Sequence, residues 1–132
     1  MTTELTLLAW TLVLAIIQVL LPATIRGRET GRAYNAGPRD EPGPKVGVMT
    51  GRLQRAQANL FETLPLFAVA ILIAHVADRS GTLTLWGAWL YFLARIVYLP
   101  LYAFGIAYVR SMVWTVSLLG LTLVLAAILW PA

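Results

Sequence analysis

A chain of 132 residues that is 59% hydrophobic, 12% charged and +0.75 in mean hydropathy is not a water-soluble globule; such domains are about 45–50% apolar and about 25% charged. It has no cysteine, which excludes disulfides, thiolate metal sites, covalent haem attachment and a cysteine nucleophile, so any thiol chemistry must use a thiol brought by a ligand. The formal net charge of +4 sits mostly between Arg26 and Arg55 and reports membrane topology rather than a nucleic-acid partner, and with a single histidine and few acids no protein-held metal site is expected.

Glu4 to Ile25 is apolar for about 20 residues, the length that crosses a hydrocarbon core of about 30 Å. A cleavable signal peptide would need a positive start and a small-residue cleavage site. Here Glu4 precedes the run, and Pro22 and Arg26 close it, so it reads as a span. Gln18, the strongly polar residue deep in the run, is expected to make an interhelical hydrogen bond. Residues 26–51, RGRETGRAYNAGPRDEPGPKVGVMTG, are rich in Gly and Pro and read as one long, non-helical, solvent-facing loop. A loop that long in so small a protein is expected to cover a site.

The second span runs from about 52 to 77, with Pro65 expected to kink it. It opens with RLQRAQANLFETLP. At about 100° per residue, Arg52, Arg55, Asn59 and Glu62 fall within an arc of roughly 80°. An ionised group near the membrane centre costs roughly 2.5–3.5 kcal/mol on insertion scales and normally faces a protein interior or a wet cavity. Arg52 alone could snorkel to the surface, but Asn59 and Glu62 are too deep for that. This stripe is therefore the candidate functional site.

After a short turn at residues 78–82, the third span covers about 83–108. Tyr91, Arg95, Tyr98 and Tyr102 share an arc of roughly 60° on it, and their hydroxyls, at that depth, need partners. A turn at 108–111 leads to the fourth span, 112–130. The expected fold class is an all-α integral membrane protein, an antiparallel four-transmembrane-helix bundle forming a single domain over 1–132. The bias of basic residues places the long loop in the cytoplasm and both termini on the opposite side, where Trp10, Trp86, Trp89 and Trp130 would form an aromatic belt. Arg52, Arg55, Arg95 and Arg110 outnumber Glu62, so the site has room for an anion, and guanidinium groups suit carboxylates.

RLQRAQANLFETLPLF resembles the second-helix signature of the MAPEG family (membrane-associated proteins in eicosanoid and glutathione metabolism), and ARIVYLPLYAFGIAYVRS is similar to its third helix and following turn. The likeness, to a bacterial-type member, extends over nearly the whole chain. It implies a homotrimer with sites between subunits that bind glutathione as co-substrate. By position, Arg52, Arg55, Asn59 and Glu62 would hold the peptide's charged ends, with Glu62 taking its amino group. Tyr98 and Tyr102 would line the same site with Arg95 beside them, Arg28 would add a further arginine, and Arg110 or Ser111 would activate the thiol. A hydrophobic small-molecule substrate would arrive from the membrane lipid. Ala58 and Leu60 depart from the basic and acidic residues that several members carry beside the motif asparagine, and nothing points to leukotriene or prostaglandin precursors.

The expected function is a glutathione-dependent transferase or peroxidase acting on lipophilic electrophiles. Two other classes stay open. A proton-coupled small-molecule transporter would use Glu62 as its carrier, although neighbouring arginines favour the ionised carboxylate and suit proton exchange poorly. A non-catalytic scaffold would keep the polar stripe for packing alone.

Overall fold

The computed structural model describes residues 1–130; Pro131 and Ala132, the end of the expected domain, lie outside the described residues. The chain is all helical: α1 (Thr3–Thr30), α2 (Arg32–Ala36), α3 (Val48–Val76), α4 (Thr82–Ala103) and α5 (Val109–Leu129). Helices α1, α3, α4 and α5 are each long and apolar enough to cross a membrane. They form a multi-pass helical membrane bundle.

The spans differ from their expected bounds at the end of the bundle that carries the loop. The segment 26–51 is not wholly non-helical: α1 continues through Thr30, α2 follows at once, and α3 begins at Val48 rather than Arg52. Local hydrogen bonds explain this. Thr30 Oγ1 bonds Asn35 Oδ1 at 2.6 Å, and the Glu29 carboxylate accepts from the Gly47 N–H at 2.6 Å and from Thr50 Oγ1 at 2.8 Å. A carboxylate placed there supplies acceptors to a helix start whose N–H groups have none within the helix. The third span ends at Ala103 rather than near Tyr108, because Gly105 adopts φ 69 and reverses the chain. The fourth begins at Val109, which puts Arg110 and Ser111 in the first turn of α5 instead of in a loop. Helix α3 runs unbroken through Pro65.

Packing follows side-chain size. At the end nearer the α3–α4 turn, Leu7, Leu8, Phe67, Ala70, Ile71, Ala88, Tyr91, Leu121 and Val124 form one buried cluster, with Phe67 stacked on Tyr91 at 4.0 Å between ring centroids. Farther along, Ala15 meets Leu60 and Leu64. Helices α4 and α5 approach backbone to backbone at Gly87 and Gly120. A Cβ on Gly87 would lie 2.5 Å from the Gly120 carbonyl oxygen, and one on Gly120 would lie 2.6 Å from that of Gly87. Small residues at a crossing are what lets membrane helices touch this closely. Trp10, Trp86, Trp89 and Trp130 are exposed, on helix ends that share one side of the bundle.

Gln18 overturns one expectation. It is buried, yet neither its Oε1 nor its Nε2 has a hydrogen-bond partner among the described residues. The interhelical bond expected of it is not formed among the described residues.

Candidate functional site

The polar stripe of α3 faces α4 near the loop end of the bundle, and the two helices are joined by side chains in successive layers. Deepest, Thr63 Oγ1 and the Tyr91 hydroxyl share a hydrogen bond of 2.8 Å. One turn nearer the loop, Arg95, fully buried, donates from Nη1 to Asn59 Oδ1 at 2.8 Å and lies over the Tyr98 ring at 4.4 Å from its centroid. The next layer holds Arg55, whose Nε donates to the Tyr102 hydroxyl at 3.2 Å. Last, Arg52 Nη1 donates to the Ala103 carbonyl at 3.3 Å. The spacing of the stripe makes this possible: residues three and four apart on α3 recur on the face turned to α4.

Helix α5 supplies the remaining wall. Arg110 sits over the Tyr102 ring at 4.6 Å from its centroid, so the same tyrosine meets one arginine from α5 and one, Arg55, from α3. Tyr98 and Tyr102 are 5.7 Å apart between ring centres. Together Asn59, Tyr98, Tyr102, Arg110, Ser111 and Trp114 line a cavity of about 290 Å³.

The cavity has a definite chemical character. Asn59 spends its carbonyl oxygen on Arg95, which turns its amide N–H groups toward other partners. Arg110 contributes only donors, and Ser111 adds a hydroxyl. Tyr102 accepts from Arg55, so its own proton is free to be donated elsewhere. Donors and positive charge dominate, and the matching occupant is an anion or a group rich in acceptor oxygens. Arg95 adds to this field, because Nε and Nη2 of its guanidinium have no partner among the described residues.

Not every expected site residue is brought to the cavity. Glu62 is exposed one turn beyond Asn59. Arg28 is exposed on the outer side of α1, beside an apolar groove lined by Ile17, Leu20, Leu21, Thr24 and Ile25. Arg52 is engaged with the end of α4. Trp114 was not anticipated from the sequence, where it reads as one more apolar residue of the fourth span. Its signal is the helical spacing of four from Arg110 once α5 is known to start at Val109. A larger cavity, about 530 Å³, lies at the opposite end between the α3–α4 turn and the end of α5. Its charged residues, Asp78 and Arg79, are exposed, and Arg79 Nη1 donates to the Trp130 carbonyl at 3.1 Å.

A family model, the MAPEG family, matches residues 7–130. The chain belongs to the MAPEG family. The match spans all four membrane helices and the whole constellation from Arg28 to Ser111, so this is a membrane protein of the glutathione and eicosanoid metabolism family. No curated relative and no solved structure matched the chain. Within this MAPEG protein the polar stripes of α3 and α4 and the first turn of α5 meet at one cavity, whose chemistry must therefore be read from its own residues.

Proposed function

We propose that this MAPEG protein is a glutathione-dependent transferase or peroxidase acting on lipophilic electrophiles, working as a homotrimer with its sites between subunits. The observation that carries this reading is the donor-rich cavity of Asn59, Tyr98, Tyr102, Arg110 and Ser111, flanked by Arg55 and Arg95. Glutathione offers what such a wall selects: two carboxylates, peptide carbonyls and a thiol that becomes an anion. Arg55 and Asn59 bind its acceptor groups, Tyr98 and Tyr102 line its backbone, and Arg95 holds Asn59 in the donor orientation.

The residues left outside the cavity support the intersubunit part. A volume of about 290 Å³ is at the small end of ligand sites, which run about 300–1,000 Å³. Glu62 and Arg28 both face outward from the subunit. In a trimer, outward-facing groups meet a neighbour's surface, so Glu62 takes the amino group of the peptide and Arg28 adds a further cation at the completed site.

Arg110 and Ser111 activate the sulfur. A free thiol has a pKa of about 8.5, so only a few per cent is thiolate at neutral pH, and a nearby cation in a poorly hydrated site lowers it. A pKa of about 6.5 makes thiolate the majority form. Arg110, held beside the cavity by its contact with Tyr102, is the cation, and the Ser111 hydroxyl is the second donor to sulfur. The thiolate lone pair then forms the new carbon–sulfur bond as the leaving group departs from that carbon with its electron pair. With a hydroperoxide it takes the terminal oxygen as the O–O bond breaks, the alkoxide picks up a proton, and a second glutathione closes the disulfide with loss of water. The lipophilic partner enters between helices from the lipid. Placing the basic loop end in the cytoplasm gives glutathione access from that side.

The test is ultraviolet difference absorbance at the thiolate band on adding glutathione to the purified protein in detergent. Wild type is expected to give a saturable signal, Arg110→Ala none, and Glu62→Gln the full signal at higher glutathione. No signal from wild type, with no binding by calorimetry at millimolar glutathione, would reject the reading.

A further inference from the structure

We infer that Arg52 is a positioning residue: it pins the α4–α5 turn that sets Arg110 over Tyr102, and does not itself hold the ligand. The inference rests on the glutathione reading above for its catalytic consequence, but its structural part stands on geometry alone.

The end of α4 leaves one carbonyl for Arg52 to take. The Phe104 N–H bonds the Pro100 carbonyl, the Ile106 N–H bonds that of Leu101, and the Gly105 N–H bonds that of Tyr102, each at 3.0 Å. With Gly105 at φ 69, this is the paired reversal by which helices stop at a left-handed glycine. Ala103 is the next carbonyl in the sequence, and Arg52 Nη1 donates to it at 3.3 Å. A cation at a helix C-terminus also meets the negative end of the helix dipole. Arg52, from the first turns of α3, thus completes the cap of a helix 51 positions away.

Gly105 is shaped to receive it. A Cβ built there would lie 2.7 Å from Arg52 Nη2 and 2.8 Å from its Cζ, so the guanidinium rests against the bare α carbon. The glycine serves the left-handed turn and the close approach at once. Five residues later comes Arg110, in the first turn of α5, its N–H bonded to the Ala107 carbonyl at 2.9 Å. Tyr102, which Arg110 covers, directly precedes the carbonyl that Arg52 holds. One anchor therefore fixes both members of the Arg110–Tyr102 contact. Arg52 is not among the residues lining the cavity, whereas Asn59, two turns along the same face, is.

The experiment uses the full chain in detergent, with Arg52→Ala, Arg52→Lys and Gly105→Ala beside wild type. Two readouts are taken: amide hydrogen exchange across residues 104–112 without ligand, and glutathione titrations by calorimetry and thiolate absorbance. A pinning role predicts exchange at 104–112 faster by about tenfold in Arg52→Ala and Gly105→Ala. Arg52→Lys, which can still reach a carbonyl, should recover part of the protection. It also predicts a bound-thiol pKa raised by about one unit, a tenfold change in ionisation equilibrium, with glutathione affinity altered by less than about threefold, or under 1 kcal/mol. Unchanged exchange in Arg52→Ala would overturn the proposal whether or not glutathione binds. A loss of affinity of about tenfold with the thiolate signal at saturation intact would also overturn it and return Arg52 to the ligand. If wild type binds no glutathione but exchange rises as predicted, the pinning stands and the enzyme reading falls.

Discussion

Arg95, fully buried in α4, places Nη1 2.8 Å from Oδ1 of Asn59 on α3, and that bond decides what Asn59 can offer a ligand. It neutralises no charge. It gives a buried cation its acceptor and leaves the amide donors of Asn59 for the cavity. Asn59→Leu should lower the unfolding midpoint in detergent, because a hydrogen bond to a charged group contributes about 1.5–3 kcal/mol. Asn59→Asp keeps an acceptor and adds a countercharge, so it should unfold no earlier than wild type. It should nevertheless lose glutathione affinity, since position 59 then offers the ligand a carboxylate in place of an amide donor. Calorimetry and thermal unfolding separate the two effects; an Asn59→Leu protein as stable as wild type would mean that Arg95 has another acceptor.

The same logic applies one layer deeper, without the ligand. Tyr91→Phe keeps the stack on Phe67 but removes the 2.8 Å bond to Thr63. The expected loss is about 1 kcal/mol, read as an earlier unfolding midpoint with glutathione affinity unchanged. A large change in affinity would show that the Tyr91 layer communicates with the cavity.

The α4–α5 crossing tolerates no side chain. Gly120→Ala would place a methyl 2.6 Å from the Gly87 carbonyl oxygen and 2.7 Å from the Tyr91 nitrogen, both backbone atoms. Overpacking of this kind typically costs about 1–3 kcal/mol. The variant should melt earlier and lose thiolate formation along with stability, because α5 carries Arg110. Full stability in Gly120→Ala would mean that the helices can separate at this point without cost.

Glu29 ties the end of α1 to the start of α3 through Gly47 and Thr50. Glu29→Ala should release the intervening segment. Limited proteolysis is expected to cut within residues 37–46 several times faster, while the membrane helices stay intact. Equal cleavage in the variant and wild type would assign the order of the loop to other contacts, such as that of the Tyr34 hydroxyl with the Glu41 carbonyl at 2.9 Å.

Arg110 gives a pH prediction with a definite sign. A cation favours the thiolate, so on the glutathione reading the bound thiol should titrate below its free value while Arg110 is present. Removing it returns the pKa toward about 8.5. Activity with a model electrophile should then be lost at neutral pH and partly regained in alkali, with the acid limb of kcat/KM moved upward. An acid limb that stays in place in Arg110→Ala would transfer the role to Ser111 or another group.

Much of this fold is legible in the chain itself. Composition and run length determined a four-span membrane bundle, because backbone groups in a bilayer must be satisfied within helices and about 20 apolar residues are needed to cross it. Helical periodicity determined that Arg52, Arg55, Asn59 and Glu62 share a face, and so do Tyr91, Arg95, Tyr98 and Tyr102, because that geometry is local and needs only the helix pitch. Which groups these faces meet is not local. Only the tertiary structure decided that Asn59 turns its oxygen to Arg95, that Arg52 ends on the Ala103 carbonyl, that Glu62 and Arg28 face outward, and that Trp114 joins the cavity. Those outcomes depend on helix rotation and on two boundaries that hydropathy cannot locate: the stop at Gly105, where a left-handed residue ends α4, and the start at Val109. The stop is set by backbone hydrogen bonds and one distant arginine, none of which changes the hydropathy of the chain.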